Sequence, residues 1–296
     1  MSPSDPFLLA VDLGTSGPKV ALVTLGGAVA ACEVEYTGLL FLPGGGVEQD
    51  PEEWWAAIVR ATRRLLAASG VRPEQVIGLN CASQWSCTVP VGPDGRALGN
   101  AISWMDTRGE PYVRQITGGP LRIEGYGVDK LAAWLPLTGG IPTRSGKDSI
   151  AHILFLQRER PEIYRETRNF LEPKDYLNLR LTGQWAATHD SIILHWLTDN
   201  RDLRRMDYHP RLLRLAGVTR DVLIELAQVL RLTIREVPLT RHELYNADEA
   251  FLTSTIKEVL PVSWIDGRRI GTGSPGPITR RLHQAFRELV QSAWSS

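Results

Sequence analysis

Residues 8 to 19 read Leu8-Leu9-Ala10-Val11-Asp12-Leu13-Gly14-Thr15-Ser16-Gly17-Pro18-Lys19. An apolar run stops at an acid, a turn of two hydroxyls between two glycines follows, and a cation sits where the chain resumes. Phe7 to Asp12 and Val20 to Leu25 are apolar runs of strand length on either side of that turn, and Ala28 to Tyr36 is a third. The spacing predicts three successive strands joined by tight turns. The turn has a chemistry available to it. Glycines let backbone come close to phosphate oxygens, hydroxyls donate hydrogen bonds to them, and a carboxylate such as Asp12 can hold the waters of Mg²⁺. An ordinary β-turn with a solvated Lys19 accounts for the same residues equally well.

Outward from this hairpin, Asp50-Pro51 precedes Glu52 to Ser69, where apolar residues recur every three or four positions. That predicts a helix with Asp50 as N-cap and Pro51 at its first position. Val76 to Cys81 reads as a fourth strand with Ser83-Gln84-Trp85-Ser86 at its carboxyl end. Pro90 to Gly95 reads as a turn, Ala101 to Met105 as a short strand, and Asp148 to Glu159 as a helix ending before Pro161. Three strands, helix, strand, helix is the order of a ribonuclease H-like, or actin-like, α/β fold. In open sheets of this kind ligands gather at the carboxyl ends of the strands. Leu42-Pro43-Gly44-Gly45-Gly46 lacks the Lys-Ser/Thr pair of a phosphate loop and is expected to be a flexible surface loop.

The 296 residues carry 33 basic and 33 acidic side chains, so no net field draws the chain to nucleic acid or to an anionic membrane. A small neutral partner suits this balance better. The length favours about two domains, and 43% apolar with 22% charged residues is ordinary for a globular protein. The first six residues include no base, and the apolar run after them stops at Asp12, short of a signal-peptide core or a membrane span. The expectation is a cytoplasmic chain. Cys32, Cys81 and Cys87 form neither a Cys-x-x-Cys pair nor a disulfide framework and are expected to be small buried hydrophobes. His189-Asp190-Ser191 has the residue types of a catalytic triad, but triad members converge from distant parts of a fold. A loop running into a helix cap is expected there.

Four further strings follow the opening turn in order: Val47-Glu48-Gln49-Asp50-Pro51, Ser83-Gln84-Trp85, Ser103-Trp104-Met105-Asp106-Thr107-Arg108 and Glu172-Pro173-Lys174-Asp175-Tyr176-Leu177. Together they resemble the N-terminal domain of the FGGY carbohydrate kinases over residues 7 to about 216. The resemblance implies ATP and Mg²⁺, with Asp12 as the metal-linked aspartate and Gly14, Thr15, Ser16 and Lys19 at the phosphates. It implies Gln84, Trp85, Trp104, Asp106 and Arg108 around a sugar. An aromatic face beside carboxylate and guanidinium groups suits a polyol, whose C–H face packs on the ring while its hydroxyls bond to the charges. Trp104 as plain core and Asp106–Arg108 as a surface salt bridge of little value is the alternative. Glycerol kinases carry an Arg-Glu pair after the glutamine and xylulokinases a Met-His pair. Trp85-Ser86 stands there instead, which argues against glycerol and leaves pentulose open.

From Gly217 the wording changes. Gly217-Val218-Thr219-Arg220, Ala247 to Thr255, Leu260-Pro261-Val262 and Gly276-Pro277-Ile278-Thr279 resemble the C-terminal end of a class IV pyridoxal-phosphate aminotransferase. The expected domains are therefore 1–216, the kinase part, and 217–296, an incomplete α/β aminotransferase fragment. In that family Val218, Thr219, Ser254 and Thr255 would be remnants of the cofactor-phosphate site, as helix N-termini favour anions. Lys257 is not at the family's Schiff-base position, so pyridoxal phosphate is expected only as a non-functional remnant. The kinase family's general base, an aspartate of a Gly-Asp pair, has no counterpart after residue 216. The resemblance thus implies an impaired kinase or a sugar-binding relic, with a tail that exposes strand edges and self-associates.

Overall fold

Alternation builds the first sheet. In the computed structural model, which describes residues 5–216, 227, 229–235, 239–254 and 258–295, β1 (Phe7–Gly14), β2 (Gly17–Thr24) and β3 (Val29–Val34) follow one another as an antiparallel meander. Phe7, Leu9, Val11 and Leu13 are buried while Leu8 and Asp12 are exposed, the two-residue period of a strand with one covered face. The cover is α1 (Pro51–Ser69), whose Trp54, Ala57, Ile58, Ala61 and Leu65 are buried at three- and four-residue spacing. Its start is as expected: Pro51 opens the helix and the Asp50 side chain accepts a hydrogen bond from Glu52 N at 2.8 Å. Gly70 ends it in the left-handed conformation at φ 67°.

Between β3 and α1 lie two strands that sequence periodicity did not reveal, β4 (Leu40–Leu42) and β5 (Gly46–Gln49). The glycine tract is therefore no loose loop. Pro43–Gly45 is a helical turn inside a β4–β5 hairpin, Gly45 lies at φ 82°, and its carbonyl accepts from Thr107 N at 3.1 Å. A side chain on Gly45 would overlap the Thr107 hydroxyl. β6 (Val76–Ser83) then pairs parallel to β1, giving the sheet order β3-β2-β1-β6.

Two readings shift further. Pro90 and Val91 belong to β7 (Val89–Val91), so the turn begins only after them. Of Ala101 to Met105 only β8 (Ala101–Ile102) is strand, joining β5, while Trp104 and Met105 turn away. α2 (Glu110–Thr117), β9 (Arg122–Ile123), β10 (Tyr126–Gly127) and α3 (Val128–Thr138) follow. α4 (Ser149–Glu159) starts after Asp148 and stops before Pro161, which opens α5 (Pro161–Glu166). β11 (Asn169–Leu171) pairs with β7, and α6 (Pro173–Thr182) adds Tyr176, Leu177 and Leu179 to the core under β1 and β2. Cys87 is buried, Cys81 half-buried and Cys32 exposed on β3, so the third cysteine is not the core residue expected. His189 to Ser191 lie in the short helix α7 (His189–Ile192), where Asp190 pairs with Lys174 and Ser191 Oγ meets Thr188 Oγ1 at 3.0 Å. No triad forms.

The chain divides into two compact units, residues 1–128 with 141–196, and residues 129–140 with 197–296. This division falls ahead of the change in wording at residue 217. The second unit holds α8 (Pro210–Leu215), α9 (Arg241–Tyr245), the hairpin β12 (Ala250–Ser254) with β13 (Glu258–Val262), the small ladder β14 (Trp264–Ile265) with β15 (Arg268–Arg269), and α10 (Pro277–Ser295). Among its described residues Ala227, Val259, Leu282 and Phe286 form one buried cluster, with Phe251 and Leu230 against it, and Trp134, Leu137, Leu197 and Leu212 are buried elsewhere in the unit. The Glu249 carboxylate accepts from Ile278 N and Thr279 N, 3.0 and 2.9 Å away, at the start of α10, where the helix favours negative charge.

Candidate functional site

All the strand-end residues expected to carry chemistry lie in the first unit. The β1–β2 turn needs its second glycine: Gly17 has φ 130°, and a side chain there would overlap the Glu35 carbonyl. Asp12 and Lys19 are register partners across the two strands. Their charged ends are 3.8 Å apart and more than half exposed, a pair of little energetic value that leaves both groups open to a ligand. Gly14 pairs with Gly17, and Ser16 is exposed at the tip, its carbonyl accepting from Thr37 N at 3.1 Å.

Thr15 turns the other way. Its Oγ1 accepts from Trp104 Nε1 at 3.0 Å, and its carbonyl accepts from Gln49 Nε2 at 3.0 Å. Gln49 Oε1 in turn accepts from Gln84 Nε2 at 2.7 Å. One chain of hydrogen bonds thus links the β1 turn, the end of β5 and the end of β6 to the Trp104 loop. At its end Gln84 Oε1 is shielded from solvent and makes no hydrogen bond among the described residues. A buried acceptor without a donor costs about 1–3 kcal/mol, and a ligand hydroxyl would satisfy it. Beside it Trp85 is 61% exposed and Trp104, in the same network, 40% exposed. Indole faces left in water next to an unsatisfied amide offer an apolar platform and a polar grip together. Ser86, at φ 59°, donates to the Lys147 carbonyl at 2.9 Å and fixes the turn after Trp85.

Asp106 and Arg108 are brought to the same place but face inward. Asp106 is 1% exposed. Its Oδ2 accepts from Val47 N at 2.8 Å and Arg108 Nη2 at 2.7 Å, and its Oδ1 from Arg108 N at 2.9 Å. Arg108 Nη2 also reaches Glu48 Oε1 at 2.6 Å, and its guanidinium lies 4.3 Å from the Phe155 ring centre. Arg160 joins Glu48 at 2.8 Å. This is a buried charge network that holds the Trp104 loop onto β5, unlike the surface salt bridge considered from sequence.

Below β6, Ser83 Oγ accepts from Lys174 N at 3.1 Å. Glu172 accepts from Cys87 N at 3.1 Å and from Ser149 Oγ at 2.8 Å. Burial pushes the Glu172 carboxyl up to about 8, against these two donors. His152, buried in α4 with Nδ1 3.1 Å from Thr88 Oγ1, is held down to about 4 by burial. Gln49, Glu48 and Glu172 lie within the motif strings but have no role that sequence alone assigns. The string Val47 to Pro51, repeated as a strand end before a capped helix, was the available signal for the first two. Nothing in the sequence gave Glu172 away.

Among the described residues no three His, Cys, Asp or Glu side chains are grouped to hold a metal directly. Asp12 is a single, half-exposed carboxylate, and so fits only a metal held through its waters and through phosphate oxygens. The Thr15 hydroxyl accepts from Trp104 and keeps its own hydrogen to donate to a phosphate. Val218, Thr219 and Thr255 lie outside the described residues, and Ser254 ends β12 opposite Glu258. No described helix is long and apolar enough to cross a membrane.

Comparison with known proteins bears on both parts. The family model for the N-terminal domain of the FGGY family of carbohydrate kinases matches residues 7–231, and that for amino-transferase class IV matches residues 208–265. Xylulose kinase of Escherichia coli (strain K12) is 31% identical over 224 residues, 72% of this chain and 40% of the relative. The branched-chain-amino-acid aminotransferase of the same organism is 47% identical over 72 residues, 24% of this chain and 23% of the relative. The crystal structure of a xyloylose kinase from Brucella ovis superimposes with a TM-score of 0.60 at 25% identity, over 71% of this chain and 40% of that one. The chain spans about 40% of the length of the kinases it matches. With an actin-like sheet, motifs in family order and a family model over most of its length, this chain belongs to the FGGY family of carbohydrate kinases, through that family's N-terminal domain.

Proposed function

We propose that the first unit binds a small polyhydroxylated substrate, a ketose or sugar acid, at the carboxyl ends of β1 and β6. The carrying observation is Gln84 Oε1, shielded and without a donor, at the end of the network that fixes Trp104. Sugar hydroxyls supply the missing donor, and the exposed faces of Trp85 and Trp104 take the sugar's C–H face. Similarity to xylulose kinases over this region supports a pentulose-like ligand, although Trp85-Ser86 departs from the family's Met-His pair. Asp106 and Arg108 serve by holding the Trp104 loop. Asp12, Gly14, Thr15, Ser16 and Lys19 are the residues that would hold ATP phosphates and Mg²⁺. ATP, when bound, supplies the phosphoryl group, and the chain's own part is to position the sugar and shield it from water.

In this reading these 296 residues do not carry out phosphoryl transfer alone. The stretch in which the resemblance would place the general base is matched instead by an aminotransferase model. Loss of a general base by itself costs about a hundred- to ten-thousand-fold in rate. Purified protein given Mg-ATP and a panel of pentuloses, hexonates and polyols is expected to release no ADP in response to any sugar. Rapid sugar-dependent release would sink this part of the reading. The aminotransferase-like segment is expected to form no specific adduct with pyridoxal phosphate. Borohydride reduction and peptide mapping that found one stoichiometric lysine adduct would contradict that.

A further inference from the structure

The four-stranded sheet finishes its two edges differently. On β3, Glu33 is held by Arg64 of α1 at 3.2 Å, and Glu35 just beyond it by Arg60 at 3.4 Å. Charges on an edge keep it from pairing with another chain. The opposite edge, β6, reads Val76-Ile77-Gly78-Leu79-Asn80-Cys81-Ala82-Ser83, with neither a charge nor a proline. Among the described residues its only hydrogen-bonded neighbour is β1. Leu79 and Cys81, opposite Leu9 and Val11, lie on the face that α1 covers for β1, and Val76 opposite Phe7 packs there too, whereas Ile77 is the extra residue at a register shift; Ile77 is 61% and Leu79 43% exposed. Leu79 and Cys81 line a mostly apolar groove of about 280 Å³ whose other walls include Trp55, Val59 and Arg63 of α1 and Leu181 of α6.

We propose that β6 is a self-association surface, on which a second copy of this chain docks. Two copies pair antiparallel, edge to edge, about a two-fold axis normal to the sheet, and the two sheets become one. Three features favour a second copy as the occupant. The strand is uncharged, so two identical edges meet without burying like charges. It is self-complementary along its regular stretch, Gly78 to Ser83: with Asn80 opposite Asn80 of the second copy, Leu79 falls opposite Cys81, and the apolar faces of both copies lie on one side. A one-residue slip would set apolar against polar positions. The area also suffices for a weak dimer. Eight residues make an edge about 26 Å long, and a band about 20 Å deep covers on the order of 1,000 Å² over both copies, near the lower limit for a specific interface. A two-fold pairing of this kind closes on itself and does not grow into fibres.

The test is sedimentation equilibrium of the full chain over a wide concentration range, with Ile77→Lys and Leu79→Lys alongside. Both side chains already meet solvent in the monomer, so the variants are expected to keep the monomer's melting curve. The expected result is a reversible monomer–dimer equilibrium, weakened at least tenfold by either lysine. Amide exchange read by mass spectrometry should slow across residues 76–83 as concentration rises, and this readout needs no variant. A chain that stays monomeric, a dimer that survives both lysines, open-ended growth, or concentration-dependent protection confined to β12 and β13 would each overturn the proposal.

Discussion

At the scale of single residues, Gln84 and Asp106 have opposite characters that sequence could not separate. Gln84 Oε1 is an acceptor awaiting a donor, whereas every lone pair of Asp106 has one. Asp106→Ala should therefore destabilise the fold by about 3–5 kcal/mol, the cost of breaking a buried charge pair. Thermal melting checks this, and an unchanged midpoint would place Asp106 at the ligand instead. Trp104→Ala should leave the midpoint nearly unchanged and weaken sugar binding by about 1 kcal/mol, the worth of the ring contact. Glu172 supplies a pH test. Its folded pKa, about 8, is raised above the ordinary value of 4.5, so the stability it allows is complete below about pH 4.5 and lost as pH climbs through 8. The buried His152 and His195 act with the opposite sign: held down to about 4, they cost stability as pH falls from 6.5 toward 4. Glu172→Gln is expected to flatten the melting midpoint between pH 5 and 8 and leave the acid limb in place. A variant that kept the slope would show that the carboxyl is ionised in the fold.

Elements were legible where one physical rule governs them. β1, β2, β3 and β6 alternate, and α1 carries both a cap and an apolar stripe, so each was readable from its own residues. Asp50→Ala should cost about 1 kcal/mol through the lost cap, measurable by urea denaturation. The short strands β4, β5 and β7 were not legible because three or four residues show no period and their strand character comes from their partners, and β8 was legible only as part of a longer strand to Met105. The glycine tract misled for a related reason: Gly45 and Gly46 are small because Thr107 and Arg108 pack on them, sixty residues later. Gly45→Val should disturb the Trp104 loop and lower sugar affinity, although the residue is far from Trp104 in sequence. The site residues were found through family motifs, which mark positions and do not say which way a side chain faces.

For the molecule as a whole, the division into two compact units leads to an unfolding expectation. The described cluster around Ala227, Val259, Leu282 and Phe286 holds fewer buried residues than the one under β1 and β2, and a smaller core sustains less stability alone. Scanning calorimetry should resolve a weaker transition below that of the first unit, and one cooperative transition would show the units to be energetically coupled. The central claim concerns the first unit, that its strand ends grip a polyhydroxylated ligand through Gln84. It is tested most directly by isothermal titration of the full chain, and of Gln84→Ala, with a panel of ketoses, sugar acids and polyols. The account expects measurable heat from at least one member of the panel and its loss in the variant, with a melting curve recorded alongside to show that the variant, which no longer donates to Gln49 Oε1, is folded at the titration temperature. Silence across the panel, or heats that Gln84→Ala leaves unchanged, would contradict it.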